Sequence, residues 1–249
     1  METLRSTPLY QQIVTNLKGQ IASGTLKVGD YLPTETSICA QYNVSRSTVR
    51  QAYSILEHDG VIVRKRGIGT IVCKPKLKRS LNNLYNFSSE MRILGLMPSS
   101  YVLCFKTINP PQSIADILEI PVTQRVYYIK RLRMADNEPL LLERAYIPVA
   151  FCPNLTEEDL SDSLYATIQS SSGTTAAIAN ETYEAVTVTD SDASILRCKP
   201  KSAALKICRT SINTNGEIFE HCIITARGDR NMYQITLTKN NIECSRSIT

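Results

Sequence analysis

The chain has 249 residues, 43% apolar and 20% charged, which suits a soluble protein with one large or two modest domains. No run of 18 apolar residues occurs and METLRSTPLY lacks the apolar stretch of a secretory leader, so no membrane association and a cytoplasmic location are expected. The net charge of +5 is uneven: residues 1–80 hold 12 Lys/Arg against 5 Asp/Glu and the rest 16 against 18, so a polyanion would be drawn to the first third.

Leu9, Ile13, Leu17 and Ile21 recur every four residues between Pro8 and Gly24, which predicts an amphipathic helix. Thr34 can cap a short helix running to Tyr42, and Asn43-Val44-Ser45 makes a turn. Ser45 then caps a second helix whose buried stripe is Val49, Ala52, Tyr53 and Leu56, ended by Gly60. The opposite side carries Arg46, Ser47 and Arg50 near its start. Arg46 and Arg50 stand one turn apart, and guanidinium is the side chain best suited to a bidentate bond with guanine. Two short strands, Val61–Val63 and Thr70–Val72, flank Arg64-Lys65-Arg66-Gly67-Ile68-Gly69, a glycine-permitted reversal with three cations at its tip. A basic amphipathic helix alone is more often a solvated face. Here the capped helix, the turn, the outward arginines and the basic hairpin follow one another within about forty residues, the arrangement of a winged helix-turn-helix that docks in a DNA groove. The candidate DNA contacts are Thr34, Thr36, Ser45, Arg46, Ser47, Thr48, Arg50, Arg64, Lys65, Arg66, Gly67 and Gly69.

Lys74 to Asn86 has a proline, four cations and weak periodicity and reads as a linker, assigned to 75–86 between domains at 1–74 and 87–249. Beyond it strands and helices alternate. Strands are expected at Tyr101–Ile108, Arg125–Ala135, Leu140–Ile147, Glu181–Thr189, Leu205–Asn213 and Glu217–Ala226, with Tyr233–Thr238 closing the sheet. Helices are expected at Gln112–Glu119, Leu164–Ser170 and Asp190–Cys198, and Asn215-Gly216 is the strongest hairpin signal. The pattern is that of an α+β domain dominated by antiparallel pairing.

Arg131 and Arg133 are two apart on a strand, so they leave the same face and could together hold a phosphate or carboxylate. On spacing alone a solvated strand face fits better. Arg227-Gly228-Asp229-Arg230 reads equally as a binding loop or as an Arg–Asp network supporting a turn. The eight cysteines form no CxxC pair and only His58 and His221 could join them, so neither metal nor cofactor is expected and the thiols should be reduced and packed.

Leu32-Pro33-Thr34-Glu35, Val44 to Ala52 and Gly67-Ile68-Gly69-Thr70 resemble the winged helix-turn-helix signature of the GntR superfamily of bacterial transcription regulators, in which the residues matching Arg46, Arg50 and the wing glycine approach DNA. Phe87 to Met91, Gly95 to Ser100, Arg131 to Asp136, Pro139 with Glu143, Ser163-Leu164-Tyr165, Phe219-Glu220-His221 and Arg227 to Arg230 resemble the UTRA effector-binding domain of the HutC subfamily. The resemblance implies a chorismate-lyase-like fold for the second domain. It also implies a pocket lined by Ser88, Arg131, Arg133, Glu143, Ser163, Tyr165 and Glu220, with Ser88 and the arginines on an anionic group and the glutamates accepting from hydroxyls or an amide. A two-residue turn at Asp136-Asn137 would set Glu143 opposite the arginines, so an odd-length loop or a bulge is needed.

The expected protein is a homodimeric repressor on a palindromic double-stranded operator, modulated by a phosphorylated sugar or amino sugar. The alternatives are a lyase-like enzyme, whose domain would have His221 as its single histidine and no readable nucleophile–base pair, and a nonspecific DNA binder, which leaves the second domain without a task.

Overall fold

The computed structural model describes residues 7–65, 67–73, 76–80, 87–160 and 163–235. The chain divides into two compact units, Met1–Leu77 and Lys78–Thr249.

In the first unit, helix α1 (Leu9–Ala22) buries Ile13 and Leu17 and leaves Leu9 exposed. Helix α2 (Glu35–Tyr42) is capped by the Thr34 hydroxyl, which accepts from Ser37 N, and ends at Asn43 in the left-handed region (φ 50°). Ser45 caps helix α3 (Arg46–His58) by accepting from Thr48 N. Val49, Ala52, Tyr53 and Leu56 of α3 form one core with Ile13, Leu17, Ile38, Ile62 and Val72. Strand β1 (Ile62–Lys65) pairs antiparallel with β2 (Gly69–Val72), Lys65 facing Gly69. The strand is longer than expected. Arg64 and Lys65 therefore belong to it rather than to the tip, and Arg66 lies outside the described residues.

Strand β3 (Leu77–Ser80) lies within the segment read as a linker and pairs with β10 (Asn231–Gln234). The last strand therefore joins a separate two-stranded sheet and does not close the main one; residues 81–86 and 236–238 are outside the described residues. The main sheet is antiparallel and six-stranded, in the order β4 (Pro98–Ile108), β5 (Val126–Ala135), β6 (Glu138–Pro148), β9 (Ile218–Arg227), β8 (Ala203–Asn213) and β7 (Ala176–Thr187). One face carries Leu132, Met134, Leu142 and Ala204, covered by Ala193 and Leu196 of α7 (Asp190–Leu196). Ile114 and Leu118 of α5 (Gln112–Leu118) pack with Val126. The other face meets α6 (Leu164–Ser172) and two short 3-10 turns, Val149–Phe151 and Glu158–Leu160.

Two bulges set the register of that second face. Asp136 and Asn137, both at positive φ (48° and 61°), form the two-residue turn of the β5–β6 hairpin, which opens with Ala135 opposite Glu138 and Met134 opposite Pro139. The pairing then slips past Leu140, so Arg133 faces Leu141 and Arg131 faces Glu143. That is the bulge the sequence required. A second slip, at Phe219, sets Ser211 opposite Glu220.

Arg227 settles the reading of its loop. Its guanidinium donates to Asp229 Oδ1 (3.0 Å) and Oδ2 (2.7 Å) and to the carbonyls of Pro139 (3.0 Å) and Leu196 (3.1 Å), while Arg230 Nε pairs with Glu138 at 2.7 Å. A Cβ on Gly228 would sit 2.7 Å from Ala203 O, so only glycine fits there. The loop is an internal brace.

Candidate functional site: an exposed helix start and a charged cleft

At the start of α3, Arg46 and Ser47 are exposed, as are Thr34 and Thr36 at the start of α2. The Ser45 hydroxyl lies 2.7 Å from Ser47 Oγ and 2.9 Å from Thr48 Oγ1, so it organises the first turn besides capping it. Arg50 is 64% exposed and pairs with Glu35 (2.9 Å). Exposed ion pairs contribute about 0–1 kcal/mol, so this one can open for another anion. Tyr53 donates to Pro33 O, tying α3 to the approach to α2; burial, then the nearby Glu35 charge, pushes its phenol up to about 12. Lys65, Gly67 and Gly69 are exposed, the glycines at φ 75° and 126°.

Arg64 behaves differently from the exposed Lys65. Its Nη2 donates to Arg50 O (3.3 Å), its Nε pairs with Glu57 (3.4 Å), and its guanidinium lies over the Tyr53 ring, 5.8 Å from the centroid. It is turned toward α3 and braces the wing against the helix.

In the second unit, Phe87, Arg131, Arg133, Glu143, Ser163, Leu164, Tyr165, Arg209 and Glu220 line a cleft with about 320 Å³ of empty space, part of it open to solvent. Six of the seven expected pocket residues are among them. Ser88 is buried on α4 (Phe87–Ile93), which gives the wall its neighbour Phe87 instead. Arg209 was missed.

Arg131 and Arg133 are 2% and 4% exposed, so the solvated-strand reading fails. Arg131 donates Nε (2.9 Å) and Nη2 (2.7 Å) to Glu143 Oε2; Arg133 lies 3.8 Å from the same oxygen, donates to Ser100 Oγ (3.0 Å) and stacks over Phe87 at 4.8 Å. Burial raises the Glu143 pKa, but Arg131 and then Arg133 outweigh it, so the carboxyl stays ionised below its ordinary range. Among the described residues, its Oε1 meets the Cys222 thiol, at 3.8 Å.

At the other end Glu220 Oε2 accepts from Tyr165 (2.5 Å) and Ser211 (2.9 Å), and no protein hydrogen bond reaches Oε1 among the described residues. Burial raises Glu220 above the usual carboxylate range, with Arg209 opposing, and burial and then Glu220 push Tyr165 well up. Ser163 caps α6 by accepting from Ala166 N, so the start of that helix borders the cleft. Among the described residues, each carboxylate thus has one oxygen held by N–H or O–H donors and a second that meets no such donor. His221 points away: it alternates with Glu220 and Cys222, is buried, and meets Thr210 Oγ1 at 3.1 Å through Nδ1, with its pKa lowered by burial.

A helix-turn-helix with an exposed, cationic helix start, followed by a charged, partly open cleft in a separate unit, is the arrangement of a one-component transcription regulator. Residues 9–72 match the bacterial regulatory proteins of the gntR family and residues 94–231 match the UTRA domain, and the chain belongs to this family of DNA-binding regulators with an effector domain, which are not enzymes. It is 34% identical to the HTH-type transcriptional repressor NagR of Bacillus subtilis (strain 168) over 90% of this chain and 92% of that one. Similarity to the probable fructoselysine utilization operon transcriptional repressor of Escherichia coli O157:H7 is 29% over 94% of each. The crystal structure of PhnF from Mycobacterium smegmatis has the same fold, with a TM-score of 0.74 and 24% identity, over 93% of this chain and all of that one.

Proposed function

We propose that this regulator is a cytoplasmic, homodimeric repressor that reads a palindromic operator with α3 and the wing of its 1–74 domain. Its operator affinity is set by a small anionic metabolite, a phosphorylated sugar or amino sugar, held in the cleft of the 87–249 domain. Arg46 and Arg50 read base edges, with Ser47, Thr48, Thr34, Thr36 and Lys65 on phosphates; one such helix spans few base pairs, so two copies are needed for useful affinity. The observation that carries the effector reading is the polarity of the cleft. Two buried guanidiniums and the start of α6 suit an anionic group at one end, and the open oxygens of Glu143 and Glu220 suit hydroxyl or amine donors beyond it. Glu143 pairs with Arg131, and an incoming phosphate shares or replaces it. The names of relatives support a sugar-like ligand: besides NagR and the fructoselysine repressor, one is the mannosyl-D-glycerate transport/metabolism system repressor MngR of Escherichia coli (strain K12), 34% identical over 65% of this chain.

A thermal-shift panel of sugar phosphates tests the reading. A ligand at a hundred times its dissociation constant adds about 2.7 kcal/mol to stability, and a panel with no stabilisation at millimolar concentration would refute the ligand class.

A further inference from the structure

Arg209 is the third guanidinium of the cleft and comes from β8, three strands away from β5. Its place follows from register. Arg209 stands opposite Glu181 on β7 and opposite Cys222 on β9; Ser211, two residues on, stands opposite Glu220. Arg209 and Glu220 are therefore diagonal neighbours on one face, about 7–8 Å apart at the backbone and within reach of a side chain as long as arginine. The guanidinium is 7% exposed, and both its Nε, at 2.5 Å, and its Nη2 pair with Glu181 Oε1. Glu181 is itself on the outermost strand, so it anchors Arg209 from the rim while the cleft side faces Glu220 and Tyr165.

We propose that Arg209 is a positioning residue of the effector cleft, set diagonal to Glu220 so that its guanidinium keeps that carboxylate as the anionic, acceptor-only end of the cavity. The proposal builds on the effector reading above and narrows it: the ligand presents N–H or O–H groups, an ammonium above all, and not a carbonyl oxygen, at the end away from its phosphate. The groups that bear on Glu220 are Tyr165 from α6, Ser211 and Arg209 from β8, Glu143 from β6, and burial itself. Burial and then Glu143 disfavour the anion; Arg209 opposes them as the cation of the group, helped by the hydrogen bonds that Tyr165 and Ser211 donate. Glu181 tempers it from the other side.

The test is the titration of Glu220 in the ligand-free full chain, read by carbon-13 NMR of labelled glutamate carboxyls, with the Glu220 signal identified by its loss in Glu220→Gln. Arg209→Gln should move the midpoint up by about one pH unit or more, Arg209→Lys should restore it, and Glu181→Gln, which leaves Arg209 untempered, should move it down. Opposite signs from the two ends of one ion pair are not expected of a merely structural contact. A midpoint shared by wild type and Arg209→Gln overturns the proposal; should that variant not fold, a midpoint shared by wild type and Glu181→Gln does so. Glucosamine 6-phosphate titrations give the functional side. Affinity of Arg209→Gln relative to wild type should fall about tenfold one pH unit below the variant's measured Glu220 midpoint and recover as pH rises through it, whereas an equal loss at every pH overturns the proposal. Failure of any sugar phosphate to bind the wild type would refute the effector reading and leave the Glu220 midpoint to decide the role of Arg209.

Discussion

Glu143→Gln separates the two tasks assigned to the cleft's arginines. Glu143 Oε2 takes two bonds from Arg131 and lies 3.8 Å from Arg133, and all three side chains are nearly inaccessible. Removing one partner of a buried pair costs about 3–5 kcal/mol because the remaining charge is stranded. The glutamine carbonyl still accepts one bond, which puts the loss near the lower bound, about 3 kcal/mol, or roughly 6–12 °C in Tm for a domain of this size. The same change leaves two cations without their anion, so inorganic phosphate at millimolar concentration should stabilise the variant more than the wild type. The pH dependence has a definite sign. Because the folded pKa of Glu143 lies below its ordinary value, its contribution is complete above the normal carboxylate range and is lost as pH falls through the depressed folded value. The difference in Tm between wild type and variant should therefore be constant at neutral pH and shrink in acid. Thermal melts with and without phosphate measure both effects. A variant within 1 kcal/mol of wild type, or equal phosphate stabilisation of the two proteins, would refute the stranded-charge reasoning.

Other substitutions address the DNA-facing unit and the brace. Arg50→Ala should weaken binding to a selected operator by about 1–3 kcal/mol and change random-sequence binding less, measured by fluorescence anisotropy; equal losses would make Arg50 a backbone contact. Lys65→Ala should weaken all sequences alike and lower the salt slope by about one, whereas Arg64→Ala, whose guanidinium is held by Glu57 and Arg50 O, should leave that slope unchanged while weakening binding through a loosened wing. Gly228→Ala should cost more than an ordinary surface change, about 2 kcal/mol or more by denaturant titration, since its methyl would meet a backbone oxygen at 2.7 Å.

The helix-turn-helix was legible because its signals are local. Thr34 and Ser45 cap within three residues, and the stripe from Val49 to Leu56 repeats on one helix. The cleft was legible through resemblance more than through spacing, because arginines two apart on a strand read the same whether buried or solvated. The Leu140 bulge followed from a parity conflict between Arg131 and Glu143, which shows how a two-residue turn constrains what lies beyond it. Arg209 went unread because its partner Glu181 is 28 positions away, on the neighbouring strand β7 beyond α7. Counting outward from the Asn215-Gly216 turn would have placed Arg209, Ser211, Glu220 and Cys222 on one face once the Phe219 bulge was allowed. Pairing of β3 with β10 joins segments some 150 residues apart, and neither carries a periodicity that selects the other. Arg64 and Lys65 looked equivalent in sequence; the packing of Arg64 on Tyr53 and Glu57 distinguishes them.

The most direct measurement is the affinity of the purified protein for a duplex selected from random sequences, taken with and without a sugar phosphate that raises its Tm, in wild type and in Arg131→Met. The expected result is a change of tenfold or more in the wild type, of either sign, that vanishes in the variant while its DNA binding without ligand persists; by linkage the operator should change ligand affinity by the same factor. An operator affinity that stays the same when the cleft is demonstrably filled would contradict the claim that this cavity controls DNA binding.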